Sequence, residues 1–373
     1  MKNLKLTYHR NGDYFIPNLV LENGKVFEGI GFGGNDFKMG EIVFHTGMMG
    51  YQDVISDMSY YGQIVLMTYP MIGNFGINRD GFESIEPAVF GFVVGEYCEK
   101  PNNWRCEMSF DEFLSLKKIP GIADIDTRML AKLIRKNGTM QAIMCEGDAD
   151  VDAVVKMLQE TDLPNDQVKC VSTSRAFAIP NRGEKIVLMD MGAKNDILRE
   201  LNMRNMNITV VPYTISVEEI LALRPQGVVI SNGPGNPKDV PEAIETIQKL
   251  MGKVPMFGIC LGHQLIALAC GADTVKLTFG HRGGNHPVIN LANGKAEITT
   301  QNHSYAVDEN SLEGTGLVVT HTALNDKSVE GLKHETYPLF SVQFYPEASN
   351  SADEINYLYK QFYQMVETCK RGM

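Results

Sequence analysis

Gly258-Ile259-Cys260-Leu261-Gly262-His263-Gln264 decides how this chain is read. Just before it, Pro255-Met256-Phe257 is a short apolar run of the kind that makes a buried strand. Just after it, Leu265-Ile266-Ala267-Leu268-Ala269-Cys270-Gly271 predicts a buried helix stopped by glycine. A strand that turns sharply into a helix through Gly-x-Cys-x-Gly is the thiol form of a nucleophile elbow. Gly258 and Gly262 carry no Cβ, so the turn can be tight and other backbone can come close to it. The thiol then sits at a helix N-terminus, where unpaired N–H groups and the helix dipole favour a thiolate. A cysteine in a strand–helix unit is more often plain packing. The two glycines, with Gln264 four residues on, favour chemistry here.

Working back from the elbow, apolar strands alternate with helices. Ile186-Val187-Leu188-Met189 is a buried strand ending in Asp190-Met191-Gly192, followed by a helix through Ile197, Leu198 and Leu201. Ile208-Thr209-Val210-Val211 is a second strand, and Ser216 with Glu219 makes a capping box for the next helix. Gly227-Val228-Val229-Ile230 is a third strand, running into the loop Ser231-Asn232-Gly233-Pro234-Gly235-Asn236-Pro237, and a helix through Ile244, Ile247 and Leu250 leads to the elbow strand. Such alternation calls for a parallel sheet with right-handed crossovers, whose active site lies outside the carboxyl ends of the strands. The glycine loop and the elbow both fall on that edge. Beyond the elbow, residues 286–345 read as β-ribbons with turns at Asn293-Gly294 and near Asn325-Asp326. A last helix places Ile355, Leu358, Tyr359, Phe362, Met365 and Val366 on one face as core.

Working outward to the rest, 373 residues suffice for two domains, with 44% hydrophobic and 21% charged residues, ordinary for a globular protein. Residues 1–16 read as an N-terminal extension, 17–171 as a first domain, 172–184 as a linker without periodicity, and 185–373 as the domain of the elbow. In the first domain Glu22-Asn23-Gly24 turns a hairpin, and Phe44 through Gly76 reads as strands and loops rich in Gly, Tyr, Asn and Ser, a composition suited to a contact surface. Met129, Leu130, Leu133 and Ile134 stripe a helix stopped by Asn137-Gly138. A net charge of −11 argues against a nucleic-acid or anionic-membrane partner. No apolar run approaches the ~18 residues of a membrane span, and the first residues have no signal-peptide core. Seven scattered cysteines make neither a disulfide framework nor paired metal spacing, so a reducing cytoplasm is expected. No GxxxxGK[ST] phosphate loop is present, so ATP is not expected on this chain.

The elbow, the Ser231–Pro237 loop and the terminal Pro346-Glu347 together resemble the class I (triad) glutamine amidotransferases. Phe44 through Gly76, Ile122-Ala123-Asp124-Ile125-Asp126-Thr127-Arg128 and Gly280-His281-Arg282-Gly283-Gly284-Asn285-His286-Pro287 narrow this: the chain resembles the small subunit of carbamoyl phosphate synthetase over nearly its whole length. The resemblance implies an α/β fold, with a β-rich α/β N-terminal domain that contacts a large subunit and a C-terminal amidotransferase domain. It implies that Cys260 is the nucleophile that hydrolyses glutamine, and that ammonia passes to the large subunit. That subunit would hold ATP and Mg and make carbamoyl phosphate for arginine and pyrimidine synthesis. It further implies that Ser59, Gly233, Gly235, Leu261, Gln264, Asn302, Ser304 and Tyr305 line the glutamine pocket, and that no metal or cofactor belongs to this chain. The Leu261 N–H, next after the nucleophile, suits an oxyanion.

One motif departs from the family. Where Gln-x-His-Pro-Glu is expected, with His as base and Glu orienting it, the chain has Gln343-Phe344-Tyr345-Pro346-Glu347, and the Pro-Gly-Pro that usually follows is replaced by Ser349-Asn350-Ser351-Ala352. A phenol with an ordinary pKa of about 10 is a poor base at neutral pH. His263 and His303 match positions where active members also have histidine, so neither is a compensating residue. Three readings stay open: a small subunit with slow glutaminase activity, a silent docking or regulatory subunit of an ammonia-dependent synthetase, and a module that binds glutamine without turnover.

Overall fold

A computed structural model describes residues 17–348 and 357–371. The N-terminal extension, Ile355 and the Ser349–Ala352 segment lie outside the described residues. The chain forms two compact units, dividing between Pro164 and Asn165. That division precedes the 172–184 stretch, which carries the strand Phe177–Ile179, paired antiparallel with Asn207–Pro212 in the second unit's sheet.

The first unit is built on an eight-stranded mixed sheet. Gly40–His45, Gln63–Met67, Gly91–Val93 and Pro120–Ala123 run parallel at its centre. The Glu22–Gly24 turn joins Pro17–Leu21 to Val26–Glu28 as a hairpin, with Gly24 at φ 81°, a conformation glycine adopts without strain. The dense stretch after Phe44 is not all strand and loop. Tyr51–Ser56 is a helix and Met58–Tyr60 a 3₁₀ turn, because Tyr51, Val54 and Ile55 recur at helical spacing and bury one face. The helix Thr127–Asn137 ends at Gly138 (φ 93°), as its sequence predicts, but its buried stripe is only Leu130 and Ile134. Met129 lies on the flank and is half exposed.

The second unit carries a ten-stranded sheet, parallel through Asn207–Pro212, Lys185–Asp190, Gly227–Ile230, Met256–Ile259 and Leu339–Val342. From Leu339–Val342 the sheet continues as an antiparallel ribbon through Val329–His334, Ala296–Val307, Thr274–Asn290 and Leu317–Ala323. Both faces of the parallel part are covered, which is why its strands read as unbroken apolar runs. Val187, Met189, Val228, Ile230 and Met256 pack on one side with the helices Val217–Ala222, Pro241–Leu250 and Leu261–Ala269. Ile186, Leu188, Val229, Phe257 and Phe340 pack on the other with Asn195–Met203 and Tyr357–Arg371. Among the described residues no helix is long and apolar enough to cross a membrane.

At the elbow glycines this packing leaves no room for a Cβ. A Cβ on Gly262 would lie 2.2 Å from the Ile230 carbonyl oxygen, and one on Gly258 would lie 2.6 Å from the Gly262 oxygen. Backbone cannot retreat as a flexible side chain can. Gly262→Ala is therefore expected to lose at least about 1–3 kcal/mol in urea unfolding. Gly284→Ala, whose Cβ would meet only Thr300 Oγ1 at 3.4 Å, should be near neutral in the same measurement.

Candidate active site around Cys260

Cys260 caps the helix Leu261–Ala269 with φ 54° and ψ −105°, a strained conformation for a residue with a side chain. Three backbone bonds hold it. The Cys260 N–H donates to the Val342 carbonyl at 2.9 Å, Gly262 N–H donates to Ser231 oxygen at 3.0 Å, and His263 N–H donates to the Cys260 carbonyl at 3.0 Å. The thiol, 1% exposed, lies 3.4 Å from the Asn302 carbonyl oxygen as donor and 3.6 Å from Gln343 Nε2 as acceptor. Leu261, as the first residue of the helix, has an N–H with no acceptor one turn back.

Several sequence-predicted residues converge on this point. Gln264 Nε2 donates to the Tyr305 carbonyl at 2.7 Å and to Gln343 Oε1 at 3.0 Å, so Gln264, Gln343 and the thiol form one polar chain. Gly233 brings its loop against the elbow: a Cβ there would lie 2.3 Å from the Met191 oxygen and 2.9 Å from Leu261 Cδ2. Gly235, at φ 88°, faces Gln167. The Ser304 hydroxyl accepts a hydrogen bond from Arg282, whose other nitrogen donates to the Phe279 carbonyl at 2.8 Å. Ser59 belongs to the first unit, where its N–H donates to Asp57 Oδ1 at 2.9 Å.

Tyr345 is 2% exposed and shares a buried cluster with Cys260, Phe344 and Tyr359. Its N–H donates to the Thr300 carbonyl at 2.9 Å, which ties it to the ribbon strand next to Asn302. Lys194 Nζ lies 4.6 Å from the Tyr345 ring centroid and 3.5 Å from Glu347 Oε1, and both of those charged side chains are buried. Tyr359 donates its hydroxyl to Glu347 Oε2 at 3.0 Å, whereas Oε1 has no hydrogen-bond partner among the described residues. Burial pushes the Glu347 carboxyl up, and the Lys194 ammonium opposes that shift.

Sequence reasoning did not single out Lys194. Its position is set by a loop that cross-links two strand ends: Asp190 Oδ1 accepts from Gly192 and Ala193, Ser231 Oγ accepts from Met191, and Asn232 Oδ1 accepts from the Lys194 N–H. The available signal was a lysine in the Met191-Gly192-Ala193-Lys194 segment that follows the strand Lys185–Asp190 at the sheet's carboxyl edge. Neither spare histidine offers an accessible base. His263 is wholly buried with its imidazole pushed down to about 3, and burial holds His303 well below the usual range.

The sequence matches the class I glutamine amidotransferase family model over residues 187–365 and the carbamoyl-phosphate synthase small-chain domain model over 19–144. It is 56% identical to the carbamoyl phosphate synthase pyrimidine-specific small chain of Bacillus subtilis, over 95% of this chain and 96% of that one. The chain belongs to the carbamoyl phosphate synthase small-chain family. The small chain from Listeria monocytogenes is 55% identical (95% and 98% covered), and that from Bacillus cereus 56% (95% and 96%).

Within this site the Lys194–Glu347 pair is open to a direct test. Removing one member of a buried ion pair leaves the other charge uncompensated, at a cost of about 3–5 kcal/mol. Lys194→Met should lose stability of that order in urea unfolding. Adding Glu347→Gln to Lys194→Met should restore a large part of it.

Proposed function

We propose that this chain is the glutamine-hydrolysing subunit of a cytoplasmic carbamoyl phosphate synthase, and that its hydrolysis is slowed because Tyr345 stands where the family places its histidine base. The observation that carries the reading is Cys260, held in a strained conformation on a helix N-terminus with its thiol against the Asn302 carbonyl and the Gln343 amide.

In this reading Cys260 Sγ attacks the side-chain amide carbon of glutamine. A carbon–sulfur bond forms, and the negative charge moves to the amide oxygen, where the Leu261 N–H donates to it. The carbon–nitrogen bond then breaks, and ammonia leaves with a proton originating on the thiol. Water adds to the thioester, releasing glutamate and restoring the thiol. Gly233, Gly235, Gln264, Asn302, Ser304 and Tyr305 would hold the amino-acid end, and Ser59 joins them on the strength of the family resemblance alone. Ammonia would pass to a large partner subunit, which uses ATP and Mg to join it to bicarbonate.

Both proton transfers call for a group that accepts and then returns a proton near neutral pH. A neutral phenol at position 345 is poorly matched to that work. Glu347 Oε1, without a hydrogen-bond donor among the described residues, supports the view that the carboxylate has lost the imidazole it would orient. That same observation favours a second reading, a silent docking subunit of an ammonia-dependent synthetase.

The two separate on incubation with glutamine. Slow hydrolysis predicts a Cys260 adduct in intact-mass spectra, little glutamate, and a rise of roughly 10²–10⁴-fold in glutamate release for Tyr345→His. No adduct and no rescue would establish the silent subunit. Release from the unmodified protein as fast as from Tyr345→His would overturn the assignment of impairment to Tyr345.

A further inference from the structure

Behind the pocket wall, the ribbon strands gather a second polar cluster that the glutamine reading does not use. His281 lies on Thr274–Asn290, Gln301 and His303 on Ala296–Val307, and Glu330 on Val329–His334. All four are buried, at 7%, 1%, 6% and 0% exposure. His281 faces His303 across the ladder, and the register is irregular on both sides of them, between Lys276 and His281 and between Gly283 and His286.

A proton count of the cluster does not close. His281 Nε2 lies 2.8 Å from Asp326 Oδ2, and His303 Nδ1 lies 2.8 Å from the Tyr305 carbonyl, and each of these contacts needs the ring's proton. A neutral imidazole has only one. The remaining nitrogens, His281 Nδ1 and His303 Nε2, both point at Gln301 Oε1, at 2.9 and 3.1 Å. They also lie 3.5 and 3.9 Å from Glu330 Oε1. Reversing the Gln301 amide does not help. Its Nε2 donates to Glu330 Oε2 and Thr299 Oγ1, each at 3.0 Å, and a reversal would set oxygen against the Glu330 carboxylate. Protonating His281 alone supplies Asp326 and Gln301, yet His303 Nε2 still meets Gln301 Oε1 with no proton between them, and protonating both rings would place two imidazolium ions with ring centroids 4.9 Å apart in one buried site.

We propose that this cluster is a site for a divalent transition-metal cation of the zinc type, ligated by His281 Nδ1, His303 Nε2, Glu330 Oε1 and Gln301 Oε1. The candidate His and Glu donor atoms lie within 4.8 Å of one another. Tetrahedral coordination by N and O at about 2.0–2.2 Å puts ligand atoms about 3.3–3.6 Å apart, so small side-chain shifts close the shell. The outer partners are those that metal-bound imidazoles use: a carboxylate, Asp326, on one ring N–H and a backbone carbonyl, Tyr305, on the other. The carboxylates of Glu330 and Asp326 balance the ion's two charges, and Ser328 Oγ bridges them at 3.2 and 2.9 Å. Such an ion would clamp three ribbon strands together. It would fix His303, the neighbour of Asn302 against the thiol, and Tyr305, whose carbonyl also receives Gln264.

The test uses the full-length chain, freed of metal by a chelator, dialysed, and then given zinc or cobalt(II) chloride. The proposal expects one equivalent of metal retained through gel filtration, the visible bands of a tetrahedral cobalt(II) site, and a melting temperature that rises with metal concentration. Retention should survive Cys260→Ala. Glu330→Gln should weaken binding by at least 100-fold, and Asp326→Asn, a half-exposed partner outside the donor set, by 10–100-fold. If Glu330→Gln fails to fold, Asp326→Asn reads the same arrangement. No metal retained and no thermal shift would overturn the proposal, leaving the cluster as a hydrogen-bonded strut. So would loss of the metal in Cys260→Ala, or undiminished binding in every variant that folds.

Discussion

The second unit depends on a residue with a side chain being held where side chains rarely go. At φ 54° and ψ −105°, Cys260 carries strain of order 1–3 kcal/mol, and such strain persists only where the surroundings leave no alternative. The alternatives are closed by backbone on both sides. The Val342 carbonyl takes its N–H, the Ser231 carbonyl takes that of Gly262, and Ile230 sits where any Cβ at position 262 would have to go. Three strands of the parallel sheet thus meet at one thiol. The segments past the strands' carboxyl ends carry the polar groups of the candidate site: Lys194 after Lys185–Asp190, Asn232 after Gly227–Ile230, and Gln343 and Glu347 after Leu339–Val342.

Where the site can be read in the sequence, local pattern and tertiary outcome coincide. The elbow is contiguous, its strand is a short apolar run, and its glycines mark the close approaches. The capping box at Ser216 and Glu219 forms as its spacing requires. Where the outcome depended on contacts far along the chain, the pattern was silent. The helix Tyr51–Ser56 is too short for its periodicity to stand out from a glycine-rich stretch. Met129 falls on the flank of its helix, outside the buried stripe of Leu130 and Ile134. Lys194 and Glu347 are far apart in sequence, and nothing near either one announces a buried pair. The same holds for His281, His303 and Glu330, which are brought together only by ribbon pairing and by irregular register.

The two polar constellations differ in how they are satisfied. At Lys194, Tyr345 and Glu347, a cation is set over an aromatic face and beside a carboxylate, and Glu347 Oε1 has that ammonium at 3.5 Å but no hydrogen bond among the described residues. Behind Asn302, acceptors outnumber protons.

The hydroxyl of Tyr359 joins the last described helix to a carboxylate buried outside it, Glu347. The helix Tyr357–Arg371 covers one face of the sheet, and it also supplies the neutral donor to the Glu347 carboxylate. Loss of this helix would strip the buried Glu347 carboxylate of its hydroxyl donor and bare the sheet face that the helix covers. The helix Tyr357–Arg371 thereby ties the cover of one sheet face to the satisfaction of the buried Lys194–Glu347 pair.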